Sequence, residues 1–221
     1  MKVSLIIPAK NEKESLGKVL TELKQYSIVN DIIIIVDSKK DNSIKIAKKF
    51  NTKIIVQKKS GYGNAIIEGF KFAKNKYGFI FNADYSFDPK YLKLMLSKKK
   101  KNNFIFGSRY MKTAGSDDDS LLTYIGNKIF TFMSRNLLKI KLSDVLYTYV
   151  MCDVKIFRTL KFNSRDFRFC VELPFQIEKN KYNYSEIPAV ERKRFDGKKN
   201  VNEFKDGFLI LLEIIRNTFI K

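Results

Sequence analysis

Through the first half of the chain, short apolar runs that stop at polar residues alternate with stretches of helical period. Val3 to Ile7 is mostly apolar and is broken by Pro8, the pattern of a strand buried on both faces of a parallel sheet. Asn11-Glu12 starts a helix with Leu16, Val19, Leu20 and Leu23 on the helical period. Asp31 to Val36 is a second buried strand, stopped by Asp37, and a helix with Ile44, Ile46, Ala47 and Phe50 apolar comes after it. Lys53 to Val56 reads as a third strand, followed by the loop Lys59 to Gly63 and a helix from Asn64 to about Lys74. Phe79 to Phe81 is a fourth strand running into Asn82-Ala83-Asp84. Asp88-Pro89 then opens a helix, because Asp accepts from orphan N–H groups and Pro suits the first turn. Phe104 to Phe106 adds a strand after the Lys98–Lys101 run, which reads as a solvated helix end where cations suit the helix dipole.

This alternation predicts an α/β fold: a Rossmann-like, mostly parallel central sheet flanked by helices, in a single domain. From Met111 the pattern changes. KTAGSDDDS reads as a loop, and Leu121 to about Leu138 as a long helix with Ile125, Ile129, Phe132 and Met133 on one face. SDVLYTYVMCD is a turn into a strand or short helix, Phe169 to Ile177 looks helical, and Tyr184 to Pro188 extended. ERKRFDGKKN is a basic loop, and Phe204 to Phe219 a final helix, apolar on most of its circumference.

The totals narrow the chemistry. The 221 residues suit one domain with a full core. Lys and Arg number 43 against 23 Asp and Glu, a balance of +20, which points to anionic partners. There is no histidine, so triads and His-based metal sites are excluded, and any chemistry rests on carboxylates, cations, hydroxyls or a hard ion held by oxygen. Cys152 and Cys170 show neither metal spacing nor a disulfide framework, which fits a reducing compartment. The apolar run at the N-terminus is too short for a signal peptide, and no segment reaches the length of a spanning helix.

Polar groups fall at the expected carboxyl ends of successive strands: Asn11 and Glu12 after the first, Asp37 after the second, Asp84 after the fourth. Gly61 and Gly63 lie in the loop after the third. In a parallel sheet those ends share one edge, where ligands bind. Carboxylates there accept hydrogen bonds from ribose or base groups, or hold a divalent cation, and glycines let a backbone approach a ligand closely.

The ordered set of motifs resembles the family 2 glycosyltransferases of the GT-A fold. IIPAKNE looks like that family's Pro-x-x-Asn-Glu entry, and IIIIVDSKKDNS like its strand-ending acidic motif with Asp41 following. SGYGNAIIEGFKFA resembles its Gly-x-Gly-x-Ala helix start, FNADYSFDP its Asp-x-Asp position, and FGSRY the strand after it. SDVLYTYVM, FCVELPFQI, EIPAVERKR and FDGKKN are similar to the polyprenyl-phosphate sugar synthase branch, the dolichol-phosphate mannose synthase-like enzymes. The resemblance implies a nucleotide-sugar-binding half over 1–110 and an acceptor-side half with the C-terminal helix over 111–221. It places Pro8, Asn11, Glu12, Asp37, Gly61, Asn82 and Asp84 at the donor. It further implies Mg²⁺ or Mn²⁺ on Asp84, helped by Ser86, bridging the diphosphate. The implied reaction is transfer of a hexose with inversion, most plausibly to polyprenyl phosphate.

Three residues depart from the family pattern. Asn82 stands where its first Asp usually is, Val36 where many members carry an acid, and Thr148 where a glycine is common. Asp84 therefore carries more of the metal site alone. For a phosphate acceptor the nucleophile arrives ionised, and Arg109, Lys128 and Arg194 are the candidate cations. For a glycan or small-molecule hydroxyl acceptor a base is needed. Asp144 is the first choice, Asp117 to Asp119 come next, and Glu172 would orient the basic loop. The expected place of work is the cytoplasm, with peripheral contact to an anionic membrane through the final helix. A sugar nucleotidyltransferase is disfavoured by the lack of a Gly-rich Arg/Lys signature near the N-terminus. The alternative of another class is a non-catalytic basic protein that binds nucleic acid or membrane. No nucleic-acid motif appears and the lysines are dispersed, so no nucleic-acid partner is expected.

Overall fold

Residues 1–195 and 202–220 are described in a computed structural model. The chain runs β1 (Val3–Ala9), α1 (Lys13–Leu23), β2 (Val29–Val36), α2 (Ser43–Ala47), β3 (Lys53–Val56), α3 (Tyr62–Phe70), β4 (Tyr77–Ile80), α4 (Tyr91–Ser97) and β5 (Phe104–Ser108). It continues through β6 (Gly115–Ser116), α5 (Leu121–Leu138), β7 (Val150–Asp153), α6 (Val154–Thr159), α7 (Phe169–Lys179), β8 (Tyr184–Pro188), β9 (Val190–Glu191) and α8 (Glu203–Phe219). The main sheet has the order β3-β2-β1-β4-β7-β5-β8, and β6 pairs with β9 beside it.

The apolar strands bury both faces, as their uninterrupted runs require. Ile6, Ile33, Ile35, Ile80, Phe104 and Val150 enter one core with α3, α6 and α7. Leu5, Ile7, Ile34, Phe79, Ile105 and Met151 enter the other with α1 and α4. β1 runs through Pro8 to Ala9, beyond the expected stop. The carbonyl of Ile6 faces the β4 side, accepting from Phe81 N at 2.9 Å. Pro8, two residues on, turns its missing donor to that same side, where the ladder with β4 has ended at Ile6. The second half contributes β7, which lies antiparallel between β4 and β5. It is therefore the exception in an otherwise parallel sheet, and it joins residues far apart in sequence.

Several helices differ from expectation for local reasons. α3 ends at Phe70 rather than near Lys74. The guanidinium of Arg158 donates to the carbonyls of Phe70 (2.8 Å) and Ala73 (2.7 Å), satisfying the open end of the helix. α4 begins at Tyr91, because Asp88 accepts from Lys90 N (2.9 Å) in the preceding turn instead of capping the helix. α5 matches its expected span and is capped by Ser120, but Ile125, Ile129 and Phe132 face outward. The basic loop expected over 191–200 is described as far as Phe195, and its FDGKKN portion from Asp196 on lies outside the described residues.

One buried ion cluster ties the added elements to the sheet. Arg109, just past β5, donates from Nε and Nη2 to Asp144 (2.7 and 3.0 Å) and from Nη1 to Asp119 (3.3 Å) and Glu191 (3.1 Å). Its backbone N–H also reaches Asp144 (3.1 Å). Burial alone would weaken the charge on Arg109, but Asp144 first, then Glu191, hold its pKa well above the ordinary value. Without Asp144, the Arg109 charge would still face Asp119 and Glu191, but three buried N–H donors of Arg109 would lose their acceptor. We therefore expect Asp144→Ala to lower unfolding free energy by about 3–5 kcal/mol in denaturant titration, far beyond the effect of a surface carboxylate.

Candidate active site

The carboxyl ends of β1 to β4 open into a cleft of about 520 Å³. Pro8, Glu12, Asp37, Gly61, Asn82 and Asp84 line it, so the parallel strands deliver those six sequence candidates to one edge. Asn11 is the exception. Its backbone adopts φ +58° and its N–H is taken by the Asp41 carboxylate at 3.2 Å, while its side chain is exposed and outside the cleft lining. Asn11 and Asp41 thus shape the turn that presents Glu12.

The Asp37 carboxylate accepts from Gln57 Nε2 at 2.9 Å and pairs with Lys10 at 3.2 Å. A hydrogen bond from Ser60, with help from Lys10 and Gln57, holds it below the usual carboxylate range despite partial burial. Glu12 behaves oppositely: burial pushes its pKa up, a hydrogen bond from Ser15 opposes this, and the nearby Asp84 charge adds to the rise. Gly61 has φ +148°, and a Cβ there would lie 2.3 Å from the carbonyl oxygen of Arg165. Its lack of a side chain therefore admits the backbone of the loop before α7.

The loop after β4 is fixed by a directed chain of hydrogen bonds. Thr148 Oγ1 lies 2.5 Å from the Tyr62 hydroxyl, which donates to Asn82 Oδ1 at 3.3 Å. Asn82 Nδ2 points to Ser86 Oγ at 3.5 Å, and Ser86 donates from Oγ (2.6 Å) and N (3.0 Å) to Asp84 Oδ1. Two departures from the family pattern, Asn82 and Thr148, are thus linked through Tyr62 and end on Asp84. Ser86 is buried and its hydroxyl is spent on Asp84, so it positions that carboxylate and does not face the cleft as a ligand. Val36, the third departure, is fully buried in the core.

The other oxygen of Asp84 faces Arg194, with Nη2 at 3.7 Å, beyond hydrogen-bond length. Arg194 is anchored instead on Asp118 at 3.1 Å. The segment just past β9 that carries it is laid beside the Asp84 loop, where Phe195 N donates to Asp84 O and Arg192 N to Ser86 O. Among the described residues no group of three acidic or thiol side chains could enclose a metal ion. The donor set is one oriented carboxylate with Glu12 and Asp118 nearby. It fits a hard ion that takes one or two carboxylates and completes its sphere with phosphate and water.

Three sequence candidates are corrected by their depth. Asp144 is completely buried, lies outside the cleft lining and accepts three hydrogen bonds from Arg109, so it lacks the access of a base and is committed to that guanidinium. Arg109 spends its guanidinium on Asp144, Asp119 and Glu191, and is the floor of the cleft in place of a cation available to an acceptor. Glu172 is buried and accepts from the backbone of Asn163 (2.8 Å) and Ser164 (2.7 Å), fixing that turn and not the basic loop. Lys128 lies apart from the main cleft, over the Tyr110 ring at 4.4 Å, in a second hollow beside β6. Asp117 is exposed and outside the cleft, whereas Asp118 and Asp119 line it. Sequence reasoning missed Lys10, Gln57, Ser60 and Tyr62. The strand-end rule applied to every residue after β1 and β3 would have reached the first three. Nothing in the sequence signalled that the start of α8 lines the cleft, through its capping residue Asn202 and through Lys205 and Asp206.

The comparisons with known proteins bear on this geometry. The family model described as Glycosyl transferase family 2 matches residues 4–161. A dolichol-phosphate mannosyltransferase of Pyrococcus furiosus is 30% identical over 120 residues, covering 51% of this chain and 34% of that protein. An uncharacterized protein of Methanocaldococcus jannaschii is 34% identical over 120 residues, covering 48% of this chain and 52% of that protein. The chain thus matches about a third to a half of the length of these curated relatives. Glucosyl-3-phosphoglycerate synthase from Mycobacterium tuberculosis, in complex with Mn²⁺, uridine diphosphate and phosphoglyceric acid, superposes with a TM-score of 0.78. The identity is 10%, over 98% of this chain and 78% of that one. Its complex with Mg²⁺ and uridine diphosphate gives 0.79 at 11% identity, over 98% and 79%. At such identities the likeness shows the shared fold, a mostly parallel sheet flanked by helices in a single domain of GT-A type. With the family match spanning β1 through α6, the chain belongs to glycosyl transferase family 2.

Proposed function

We propose that this chain is a metal-dependent, inverting glycosyltransferase that moves a hexose from a nucleotide-sugar donor to polyprenyl phosphate. The observation that carries the proposal is Asp84, a carboxylate at the end of β4 that is locked by Ser86 and turned toward Glu12 and Arg194 across the cleft. On this reading residues 1–110 form the donor side, with Pro8 and Asp37 beside base and ribose, and 111–221 the acceptor side. Asp84 would hold Mg²⁺ or Mn²⁺ together with the donor diphosphate. Such an ion, when bound, supplies positive charge to the departing nucleoside diphosphate. Arg194 adds a second cation there, exchanging carboxylate for phosphate contacts, which its planar fork suits.

The acceptor oxygen forms its bond to the anomeric carbon from the face opposite the breaking bond to the diphosphate, so configuration inverts. Asp144 is buried, and the next candidate bases in the cleft are already engaged, Asp118 by Arg194 and Asp119 by Arg109 and Tyr110. This supports an acceptor that needs no protein base, and a phosphate monoester is already ionised at neutral pH. The names of two similar proteins also contain phosphate-bearing molecules, dolichol phosphate and phosphoglyceric acid. Two buried, unpaired cysteines fit work on the cytoplasmic side, and peripheral attachment there would suffice to meet a lipid acceptor. Among the described residues no helix is long and apolar enough to cross a membrane.

The direct test is product formation from a panel of nucleotide sugars with Mn²⁺ and polyprenyl phosphate. Glucosylated or mannosylated lipid phosphate is the expected product; transfer to phosphoglycerate or a sugar hydroxyl, with none to lipid phosphate, would refute this acceptor. Asp84→Ala should reduce turnover by roughly 10²-fold or more, the scale for losing a preorganised electrostatic contact. Asn82→Asp should act in the other direction on metal dependence. By adding a carboxylate next to Asp84, it is expected to lower the Mn²⁺ concentration for half-maximal rate several-fold.

A further inference from the structure

Helix α5 is packed with its polar side inward. Asn127, Thr131 and Ser134 are buried on one face along with Leu138. Asn127 reaches the Tyr110 hydroxyl at 2.9 Å and Thr131 accepts from Val145 N at 3.3 Å, so the core satisfies these two, whereas the buried Ser134 hydroxyl has no hydrogen-bond partner among the described residues. Leu121, Leu122, Ile125, Ile129 and Phe132 lie on the opposite face and are exposed, Phe132 by 69%. Helix α8 has two apolar faces. Ile210 and Ile214 enter the core, while Phe204, Phe208, Leu212, Ile215 and Phe219 recur every three or four residues on the other side. Phe204 and Phe219 are 82% and 83% exposed.

The two helices lie side by side. Thr123 Oγ1 donates to Glu203 at 3.0 Å, and a Cβ on Gly207 would lie 3.6 Å from the Phe130 ring. Their N-terminal halves also line the cleft, through Thr123 and Asn127 of α5 and through Lys205 of α8 with its capping residue Asn202. The outward stripes therefore start where the cleft opens. Exposed cations run along their edges, Lys128 and Arg135 on α5 and Lys205 and Arg216 on α8, and α5 carries no acidic residue.

An apolar stripe bordered by Lys and Arg is the pattern that lies in a bilayer interface, with cations drawn to anionic headgroups. Pairing with a second copy would instead set these cations against each other on chains of net charge +20. We infer that the outer faces of α5 and α8 form one docking surface for an anionic lipid bilayer, holding the cleft mouth at headgroup level. This deepens the proposed lipid-phosphate acceptor and rests on that reading for the purpose of docking; the surface itself is tested without donor or acceptor.

The full chain should co-sediment with vesicles of phosphatidylcholine containing phosphatidylglycerol, bind phosphatidylcholine vesicles much less, and release as salt rises. The triple variant Phe132→Ser, Phe208→Ser, Phe219→Ser should lose about tenfold or more in vesicle affinity. Its melting temperature and nucleotide-sugar binding should stay unchanged, since none of the three side chains is buried or lines the cleft. Unaltered vesicle binding by a folded triple variant would overturn the inference. So would absence of binding to anionic vesicles, or a dimer in sedimentation that the same substitutions dissolve. Vesicle binding without transfer to polyprenyl phosphate would leave the docking surface standing and remove the acceptor reading alone.

Discussion

A guanidinium with almost no contact with water holds the cleft together. Arg109 comes just after β5, Asp119 precedes α5, Asp144 lies in the turn before β7, and Glu191 is in β9. Four segments spread over the later part of the chain meet at that one charge. One guanidinium faces three carboxylates there, and the surplus negative charge is met by hydroxyl donors, Ser116 on Glu191 (2.6 Å) and Tyr110 on Asp119 (2.7 Å), while burial pushes the Glu191 pKa up. The same arrangement places Asp118 one residue before Asp119, where it anchors Arg194 opposite Asp84. A structural cluster beneath the cleft thus fixes the position of Arg194 above it.

The first half of the chain contributes in a simpler way. Parallel strands end at one edge, so the residues just past each strand are brought together whatever their separation in sequence. That rule collects Lys10, Glu12, Asp37, Ser60, Asn82 and Asp84 around one cleft. It does not orient them. Orientation comes from the hydrogen-bonded chain Thr148–Tyr62–Asn82–Ser86–Asp84, which spans three elements and leaves one carboxylate oxygen of Asp84 directed at the cleft. Asn82 in this setting is a link between Tyr62 and Ser86, a role for which an amide is well suited because it both accepts and donates.

How much of this was legible in the sequence depended on whether the property was local. Strand and helix spans came from apolar period, and β3, α5 and β8 matched residue for residue. The edge location of Asp37 and Asp84 came from strand ends. Depth did not. Asp144 and Asp84 are the same residue type in similar polar turns, yet the first is buried against Arg109 while the second faces the cleft. Periodicity likewise put Ile125, Ile129 and Phe132 on one face of α5 without saying which way that face points. Tertiary packing decided it by satisfying Asn127 and Thr131 inside. The antiparallel insertion of β7 was equally hidden, since its partners are set by the returning second half.

On the proposed function, Asp84 and a donor diphosphate would share one divalent cation, since the described residues alone do not enclose it. Electron paramagnetic resonance of Mn²⁺, titrated with the protein in the presence and absence of a nucleotide sugar, tests this directly. The ion should bind weakly to the protein alone and strongly once nucleotide sugar is added, and Asp84→Ala should lose that enhancement. Equal Mn²⁺ binding with and without nucleotide sugar, or an enhancement that survives Asp84→Ala, would contradict it.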